Sequence, residues 1–175
     1  MRKLLLIILF STFISHAQWV YFSSGMGNNT VLSLAAHSNY MYAGTYSNGV
    51  YISTNNGVVW TQSSLGSNHD IRSIAINDNY VFAGVISSSS GLYMSSNNGT
   101  NWTQTLNSYA VMSIALSGNN VFAGTNGSGV FLSTNNGINW IQTSIGNNQF
   151  IRALAVNGNN IFAGTGSDGP DSNHR

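Results

Sequence analysis

The chain has 175 residues, 42% of them hydrophobic, which is enough to build one domain with a packed core. Only 5% are charged, Glu is absent, and beyond position 3 the basic residues are three scattered arginines, which excludes a phosphate-binding surface for nucleic acid. Cys is also absent, which excludes disulfides, a thiolate nucleophile and a zinc ribbon.

The first residues predict a secretory signal peptide over residues 1–17. Arg2 and Lys3 form its charged start, residues 4–14 are apolar, and small residues follow at the expected cleavage site. A membrane anchor is the weaker alternative, because the apolar stretch is short and no second one follows it. We therefore expect a mature chain that begins at Gln18 and is exported to the periplasm, the cell surface or the medium.

A forty-residue repeat fills most of the remaining chain. The pair Ala-Gly recurs at intervals of 40 residues, and an aromatic residue precedes every copy. Asn stands four residues before each of these Ala residues, and another Ala stands eight before it. Such a period indicates a repeat architecture. The four pairs are Ala43-Gly44, Ala83-Gly84, Ala123-Gly124 and Ala163-Gly164.

A second signature, Ser-x-Asn-Asn-Gly-x-x-Trp, follows the first three pairs. Its Asn-Gly dipeptide predicts a tight hairpin turn, because Asn and Gly tolerate positive φ at the least cost. The first Asn can accept backbone N–H groups as in an Asx turn, and the Trp supplies apolar surface to seat the hairpin. The residues of this structural motif are Ser53, Asn55, Gly57, Trp60, Ser95, Asn97, Gly99, Trp102, Ser133, Asn135, Gly137 and Trp140.

Each unit contains four short runs of β-branched and aromatic residues separated by Asn, Gly and Ser clusters, and nothing after the signal predicts a helix. In the second unit the runs are 71–76, 80–85, 92–95 and 102–105. Four strands per forty residues predict an all-β propeller. A parallel β-helix is the rival, although its coils do not need one hairpin per period. The second unit also has two extra residues in its 86–91 loop and two fewer after Trp102.

At these residues the chain resembles the Asp-box, or bacterial neuraminidase repeat, whose pattern is Ser-x-Asp-x-Gly-x-x-Trp. The resemblance covers residues 31–165, and it departs from the family at the Asp position, where Asn stands in all three copies. It implies a box that joins the third and fourth strands of a blade, on the face away from the ligand site. The family includes sialidases, endoglucanases, sorting receptors and photosystem assembly factors, so the resemblance implies architecture and leaves function open.

The repeat predicts a partial propeller of about three complete four-stranded blades. Trp19 to Phe22 resembles a lone fourth strand, and the tail at 166–175 is polar and irregular. Open blade edges invite self-association, so we expect a fragment or truncated relative of a longer repeat protein. The repeat region is 18–165, with blades at about 31–63, 71–105 and 111–143 and a partial blade at 151–165.

The residue inventory predicts no catalytic centre. Sialidase-like chemistry needs Glu and an arginine cluster, and a typical glycosidase needs two carboxylates flanking the scissile bond. Asp168 and Asp171 lie in the tail, which leaves Asp70 in a loop between blades and Asp78 in a turn. The alternative to a non-enzymatic module is a remnant of a sialidase-like or xyloglucanase-like glycoside hydrolase. A degenerate product without function is the third interpretation.

Ligands of propellers usually meet the loops between blades, where repeat phase makes Asn29, His69, Tyr109 and Gln149 equivalent, as well as Leu32, Arg72, Met112 and Arg152. The hypothesis is that four of these residues, together with Asp70 beside His69, line the mouth of the central channel and contact a polar ligand. The competing interpretation, solvated loop residues and strand ends, is favoured. The five are His69, Asp70, Arg72, Tyr109 and Arg152.

The leading function is a non-enzymatic module that binds protein or glycan at the cell surface. His37, His69 and His174 lie in different phases of the repeat, so neither a metal site nor a cofactor is expected.

Overall fold

Residues 24–146 and 148–166 are described by the structure, a computed structural model, and they form fourteen β-strands. No helix occurs among them, and therefore none that could cross a membrane. The signal peptide predicted at 1–17, the strand expected at Trp19 to Phe22 and residues 167–175 of the predicted tail lie outside these residues. Residue 166, the first of the tail predicted at 166–175, is instead the last residue of a strand. The strands are β1 (Val31–His37), β2 (Tyr40–Thr45), β3 (Val50–Ser53), β4 (Thr61–Gln62), β5 (Ile71–Ile76), β6 (Val81–Val85), β7 (Gly91–Ser95), β8 (Thr103–Asn107), β9 (Val111–Ser117), β10 (Asn120–Thr125), β11 (Val130–Ser133), β12 (Ile141–Gln142), β13 (Phe150–Asn157) and β14 (Asn160–Gly166).

The strands form three four-stranded antiparallel meanders and one two-stranded sheet. We name these blades 1 to 4: β1 to β4, β5 to β8, β9 to β12, and β13 with β14. The first strands β1, β5, β9 and β13 lie one against the next, as the inner strands of a propeller do. The predicted all-β partial propeller is confirmed, and the antiparallel pairing within each unit is not that of a parallel β-helix.

The second strand of each complete blade is its apolar centre. In β6 all five residues, Val81 to Val85, are buried, because neighbouring blades cover both faces of the sheet. A strand buried on both faces reads as a continuous apolar run. The fourth strands β4 and β12 have two residues each and are exposed, as expected for short outer edges.

The Ser-x-Asn-Asn-Gly-x-x-Trp motif forms the turn between the third and fourth strands of each complete blade, as the resemblance implied. In blade 2 the central residues Asn98 and Gly99 have φ values of 55° and 79°, as the Asn-Gly dipeptide predicts. The Ser95 hydroxyl accepts the Gly99 N–H at 2.9 Å and donates to Asn97 Oδ1 at 2.9 Å. Asn97 Oδ1 also accepts the Asn101 N–H at 2.9 Å. The same bonds recur in the other two copies.

The tryptophans of the motif point inward. Trp60 is 6% exposed, and Trp102 and Trp140 are half-buried in the apolar clusters between blades. The Trp102 Nε1–H donates to Gly99 O at 3.0 Å, and the Trp140 Nε1–H donates to Gly137 O at 3.0 Å. In blades 2 and 3 the indole thus closes its hairpin, because its N–H is satisfied and its ring packs on the preceding blade. In blade 1 the buried Trp60 Nε1–H has no partner among the described residues, and the ring packs on Met26 and Tyr51.

Asn97→Asp is expected to stabilise the protein by about 0.5–1 kcal/mol at neutral pH. Asn97 Oδ1 already accepts two hydrogen bonds, and a carboxylate would accept the same bonds with charge assistance. Chemical denaturation at pH 7 checks this, with the wild type as reference. Repeating it below the pKa of a carboxyl group should remove the gain, because the protonated acid is again a neutral acceptor. Equal or lower stability at pH 7 would contradict this account of the turn.

Packing between blades forms two clusters. One joins blades 1 and 2 around Tyr42 and Ile71, and the other joins blades 2 and 3 around Phe82 and Val111. The turn motif takes part, since a Cβ built on Gly99 would lie 2.7 Å from Ile52 Cδ1 of the preceding blade. The core of the molecule therefore lies between its sheets.

Candidate functional site

Two kinds of loop share one end of the blades. The loops between second and third strands lie beside the linkers that enter the following blade. Gly49 N–H donates to His69 O at 3.0 Å, and Gly129 N–H donates to Gln149 O at 3.0 Å. We call this end the linker face. The Asn-Gly turns lie at the opposite end, because strands alternate in direction within each meander.

His69 and Tyr109 occupy equivalent places on the linker face, and each contacts an aromatic residue on the third strand of its own blade. The His69 and Tyr93 rings meet edge to face, with centroids 5.5 Å apart. The Tyr109 and Phe131 rings are 4.4 Å apart. At the same place in blade 1, Asn29 Nδ2 donates to the Tyr51 hydroxyl at 2.9 Å. These side chains hold each linker onto its blade.

Asp70 is half-buried and binds the preceding blade. Its Oδ1 accepts the Ser47 N–H at 2.6 Å and lies 3.3 Å from the Ser47 hydroxyl. Ser47 has a φ of 63°, a backbone conformation that serine rarely adopts. The carboxylate therefore fixes the loop between β2 and β3 across the boundary between blades 1 and 2.

Arg72 and Arg152 are exposed at β-bulges. The strand register shifts between Ile71 and Ser73, and again between Ile151 and Ala153, so both arginines are the extra residue of a bulge on a first strand. Bulges redirect side chains and are common near functional sites. The Arg152 guanidinium carbon lies 5.9 Å from the centroid of the Phe150 ring.

The five predicted ligand residues thus lie at the starts of first strands on the linker face, spread over three blades. His69, Asp70 and Arg72 precede or begin β5, Tyr109 precedes β9 and Arg152 is in β13. His69, Asp70 and Tyr109 each contact residues outside the predicted set, and these contacts hold loops and strands together.

A pocket of about 440 Å³ opens on the linker face of blade 2, next to His69. The residues of this pocket were not predicted from the sequence. The features that could have indicated them are the two extra residues in the 86–91 loop and the two fewer after Trp102. Tyr93 belongs both to the pocket wall and to the ring pair with His69. The lining residues are Ser88, Ser89, Ser90, Tyr93, Gln104, Asn107 and Ser108.

The pocket arises because blade 2 departs from the repeat. In blades 1 and 3 the linker folds back, so that Leu65 O accepts the Val50 N–H at 2.9 Å and Ile145 O accepts the Val130 N–H at 2.8 Å. The equivalent residue of blade 2, Leu106, is instead part of β8, which extends to Asn107. The predicted fourth strand at 102–105 is therefore displaced by one to two residues, because the segment that folds back as a linker in blades 1 and 3 pairs with β7 in blade 2.

The pocket is polar and uncharged. The Gln104 amide donates to Ser90 O at 3.0 Å and the Tyr93 hydroxyl to Ser89 O at 3.2 Å, which anchors the longer loop. Burial raises the pKa of the Tyr93 phenol, and its hydrogen bond with Ser89 partly opposes that shift, so the ring stays neutral at physiological pH. The lining residues thus carry hydroxyls, amides and one aromatic ring, although Gln104 Nε2 and the hydroxyls of Tyr93 and Ser90 already donate hydrogen bonds within the protein.

The two carboxylates of the described residues, Asp70 and Asp78, lie at opposite ends of β5. That strand has six residues, so about 20 Å separates its ends, whereas paired glycosidase carboxylates are about 5–9.5 Å apart. Asp78 is on the side of the Asn-Gly turns, where its Oδ1 lies 3.1 Å from His37 Nε2. Within residues 24–146 and 148–166, no three His, Asp or Glu side chains form a metal-binding group.

Comparisons with known proteins agree with the fold. No protein-family model and no curated protein sequence matches the chain. The computationally designed Ika4 protein shares the fold with a TM-score of 0.66 at 14% identity, over 85% of this chain and 93% of Ika4. An ancestral GH74 enzyme matches with a TM-score of 0.65 at 21% identity, over 82% of this chain and 22% of the enzyme.

The extracellular domain of BT4673 from B. thetaiotaomicron matches with a TM-score of 0.64 at 24% identity, over 78% of this chain and 20% of that domain. This chain therefore spans about a fifth of the GH74 enzyme and of the BT4673 domain. Together with the sheet order, these similarities define the class of protein, an all-β chain of propeller fold whose structural neighbours include glycoside hydrolases and extracellular domains.

Proposed function

We propose that this chain is a non-enzymatic binding module that holds an uncharged carbohydrate in the blade 2 pocket. The observation that carries the proposal is the pocket itself, a concave site at the one complete blade that departs from the repeat. It has a volume of about 440 Å³ and is an open, mainly polar depression of the surface. Its amides and hydroxyls suit the hydroxyl groups of a sugar, and the Tyr93 ring offers apolar contact.

A binding role is favoured over hydrolysis by the position of the carboxylates. Asp70 holds Ser47 and Asp78 faces His37, and β5 separates the two acids. A glycosidase places its two acids on either side of one bond. The similarity to a GH74 enzyme is therefore accounted for by the shared scaffold, which hosts many functions.

Export and membership of the Asp-box group belong to the same proposal. Export rests on the predicted signal peptide, and a structural neighbour is an extracellular domain. Membership rests on the three turns, in which Asn55, Asn97 and Asn135 accept hydrogen bonds that a box Asp could equally accept. The ligand would accordingly be a cell-surface or extracellular glycan.

Gln104→Ala is expected to weaken the binding of a neutral oligosaccharide by about tenfold or more, because it removes a pocket wall and an anchor of the 86–91 loop. A glycan array identifies the oligosaccharide, and isothermal titration calorimetry measures the change. The matched control is Gln142→Ala, since Gln142 donates to Ser128 O at 2.8 Å in blade 3 but does not line the pocket. That control should bind like the wild type.

Two outcomes would contradict this site. Wild-type protein that binds no neutral glycan would end the proposal of a carbohydrate module. Binding that survives Gln104→Ala but is lost in a Tyr109→Ala, Arg152→Ala double variant would move the ligand to the mouth of the channel, as the five predicted residues suggest.

A further inference from the structure

At the boundary between consecutive blades, an apolar side chain packs directly on a glycine of the preceding blade. We call this contact the glycine seat. A Cβ built on Gly44 would lie 2.6 Å from Ile71 Cγ2, and one built on Gly84 would lie 2.8 Å from Val111 Cγ1. Ile71 and Val111 are each the first residue of the inner strand of the next blade. Gly124 makes the same contact with Ile151 Cγ2 at 2.5 Å. Each seated side chain is 0% exposed. Each built Cβ would also lie 2.3–2.5 Å from the Oγ of a serine on the first strand of the same blade, Ser33, Ser73 or Ser113. The absence of a Cβ thus makes room both for this serine and for the next blade.

Among the described residues, one glycine equivalent to Gly44 has no apolar side chain packed on it, and one residue equivalent to Ile71 packs on no glycine. A Cβ on Gly164 would meet only Ala153 within 4 Å, at 3.6 Å or more. At the other end, Val31 is the equivalent of the seated residues and is 41% exposed. One end of the blade series presents an empty seat, and the other presents a side chain of the type that fills it.

Each of the two positions has an exposed apolar side chain beside it. Phe162 beside the empty seat is 57% exposed, whereas its equivalent Phe82 is 0% exposed. Leu34 beside Val31 is 65% exposed, whereas its equivalent Ile74 packs into the cluster between blades 1 and 2. The outer part of the blade 1 face is covered by Met26, which packs on Tyr51 and Trp60. Among the strands of blade 1 that the structure describes, the exposed large apolar side chains lie on β1, and those of blade 4 lie on β14.

We propose that a second copy of the chain docks head to tail on this end, with its β1 against β13 and β14. Val31 of the second copy enters the seat at Gly164, and its Leu34 covers Phe162. This contact continues an interface that the molecule already makes three times, between blades 1 and 2, 2 and 3, and 3 and 4. A heterologous contact closes into a ring only if the rotation between copies allows it. Two copies would contain eight sheets, a number within the range of propeller blades.

Gly164→Leu tests the seat. The glycine has room for a side chain within its own copy, so this variant should fold like the wild type while blocking the second copy. Sedimentation velocity over a range of concentrations should show association of the wild-type chain and a monomer for Gly164→Leu. Ile138→Ser is the matched control. Ile138 is 57% exposed, as is Phe162, but it lies on the Asn-Gly turn of blade 3. The Ile138→Ser variant should associate like the wild type.

A mixing experiment tests the orientation. Val31→Asp should also be monomeric, since it places a carboxylate at the apolar contact. Mixed with Gly164→Leu it should form heterodimers, because each variant keeps the end that the other has lost. Circular dichroism confirms folding, and Phe162→Ser replaces Gly164→Leu if the latter is unfolded. A monomeric wild type, as expected if a further blade of a longer chain occupies this face, overturns the proposal, as does dissociation by Ile138→Ser or a mixture that stays monomeric.

Discussion

Replacing Phe82 by Ala is expected to lower the free energy of unfolding by about 3–5 kcal/mol. This is the cost of removing a fully buried aromatic ring and leaving a cavity. Phe82 is 0% exposed and lies in the cluster between blades 2 and 3 with Leu92 and Val121. A Cβ on Gly137 of the next turn motif would be 2.9 Å from Phe82 Cε1, so the ring is held between two blades. Urea denaturation followed by tryptophan fluorescence measures the loss.

Phe162→Ala is the matched control, because Phe162 occupies the same place in blade 4 and is 57% exposed. At protein concentrations where the chain is monomeric, this change should cost less than about 1 kcal/mol, since little apolar surface is returned to water. Equal losses for Phe82→Ala and Phe162→Ala would contradict the stacking of consecutive blades on the second strands.

Gly129→Ala is expected to destabilise the protein by about 2–5 kcal/mol, the sum of left-handed backbone strain and overpacking. Gly129 has a φ of 70°, and a Cβ there would lie 1.8 Å from Ile145 O and 2.4 Å from Gly146 O. Both obstacles are backbone atoms of the linker that folds back in blade 3. This linker would have to move away and lose its hydrogen bond between Ile145 O and Val130 N.

Gly118→Ala separates the two contributions. Gly118 belongs to the same blade and has a φ of 56°, but a Cβ there meets nothing within 4 Å. Thermal or chemical unfolding should therefore show a loss of only about 1–2 kcal/mol, from backbone strain alone. If Gly129→Ala costs no more than Gly118→Ala, the linker does not fold back as described.

The linker face carries structural contacts next to the proposed binding site. His69 supports Tyr93, and Tyr93 forms part of the pocket, so the predicted ligand position and the pocket are in contact through one ring pair. Asp70 and Tyr109 hold loops and third strands in place. The proposed site therefore rests on a scaffold whose loops are tied to their blades by side chains.

Most of the architecture could be predicted from local sequence. The forty-residue period, the alternating strand runs and the Asn-Gly turns depend on residues close in the chain, and the turn bonds join Ser95, Asn97 and Gly99 within four positions. Such contacts form in much the same way wherever the motif occurs. The all-β class, the antiparallel meanders and the inward tryptophans follow from this local information.

Only the tertiary structure decided the contacts that cross large distances in the chain. Ile71 seats on Gly44, Asp70 holds Ser47, and His69 meets Tyr93, and none of these pairs follows from repeat phase alone. The pocket depends on both the longer 86–91 loop and the shorter segment after Trp102. In the sequence these are two separate changes of length, and nothing in it shows that they meet. The physical reason is that a repeat specifies each blade through its own hydrogen bonds, whereas cavities and seats depend on how separate segments fill the space between them.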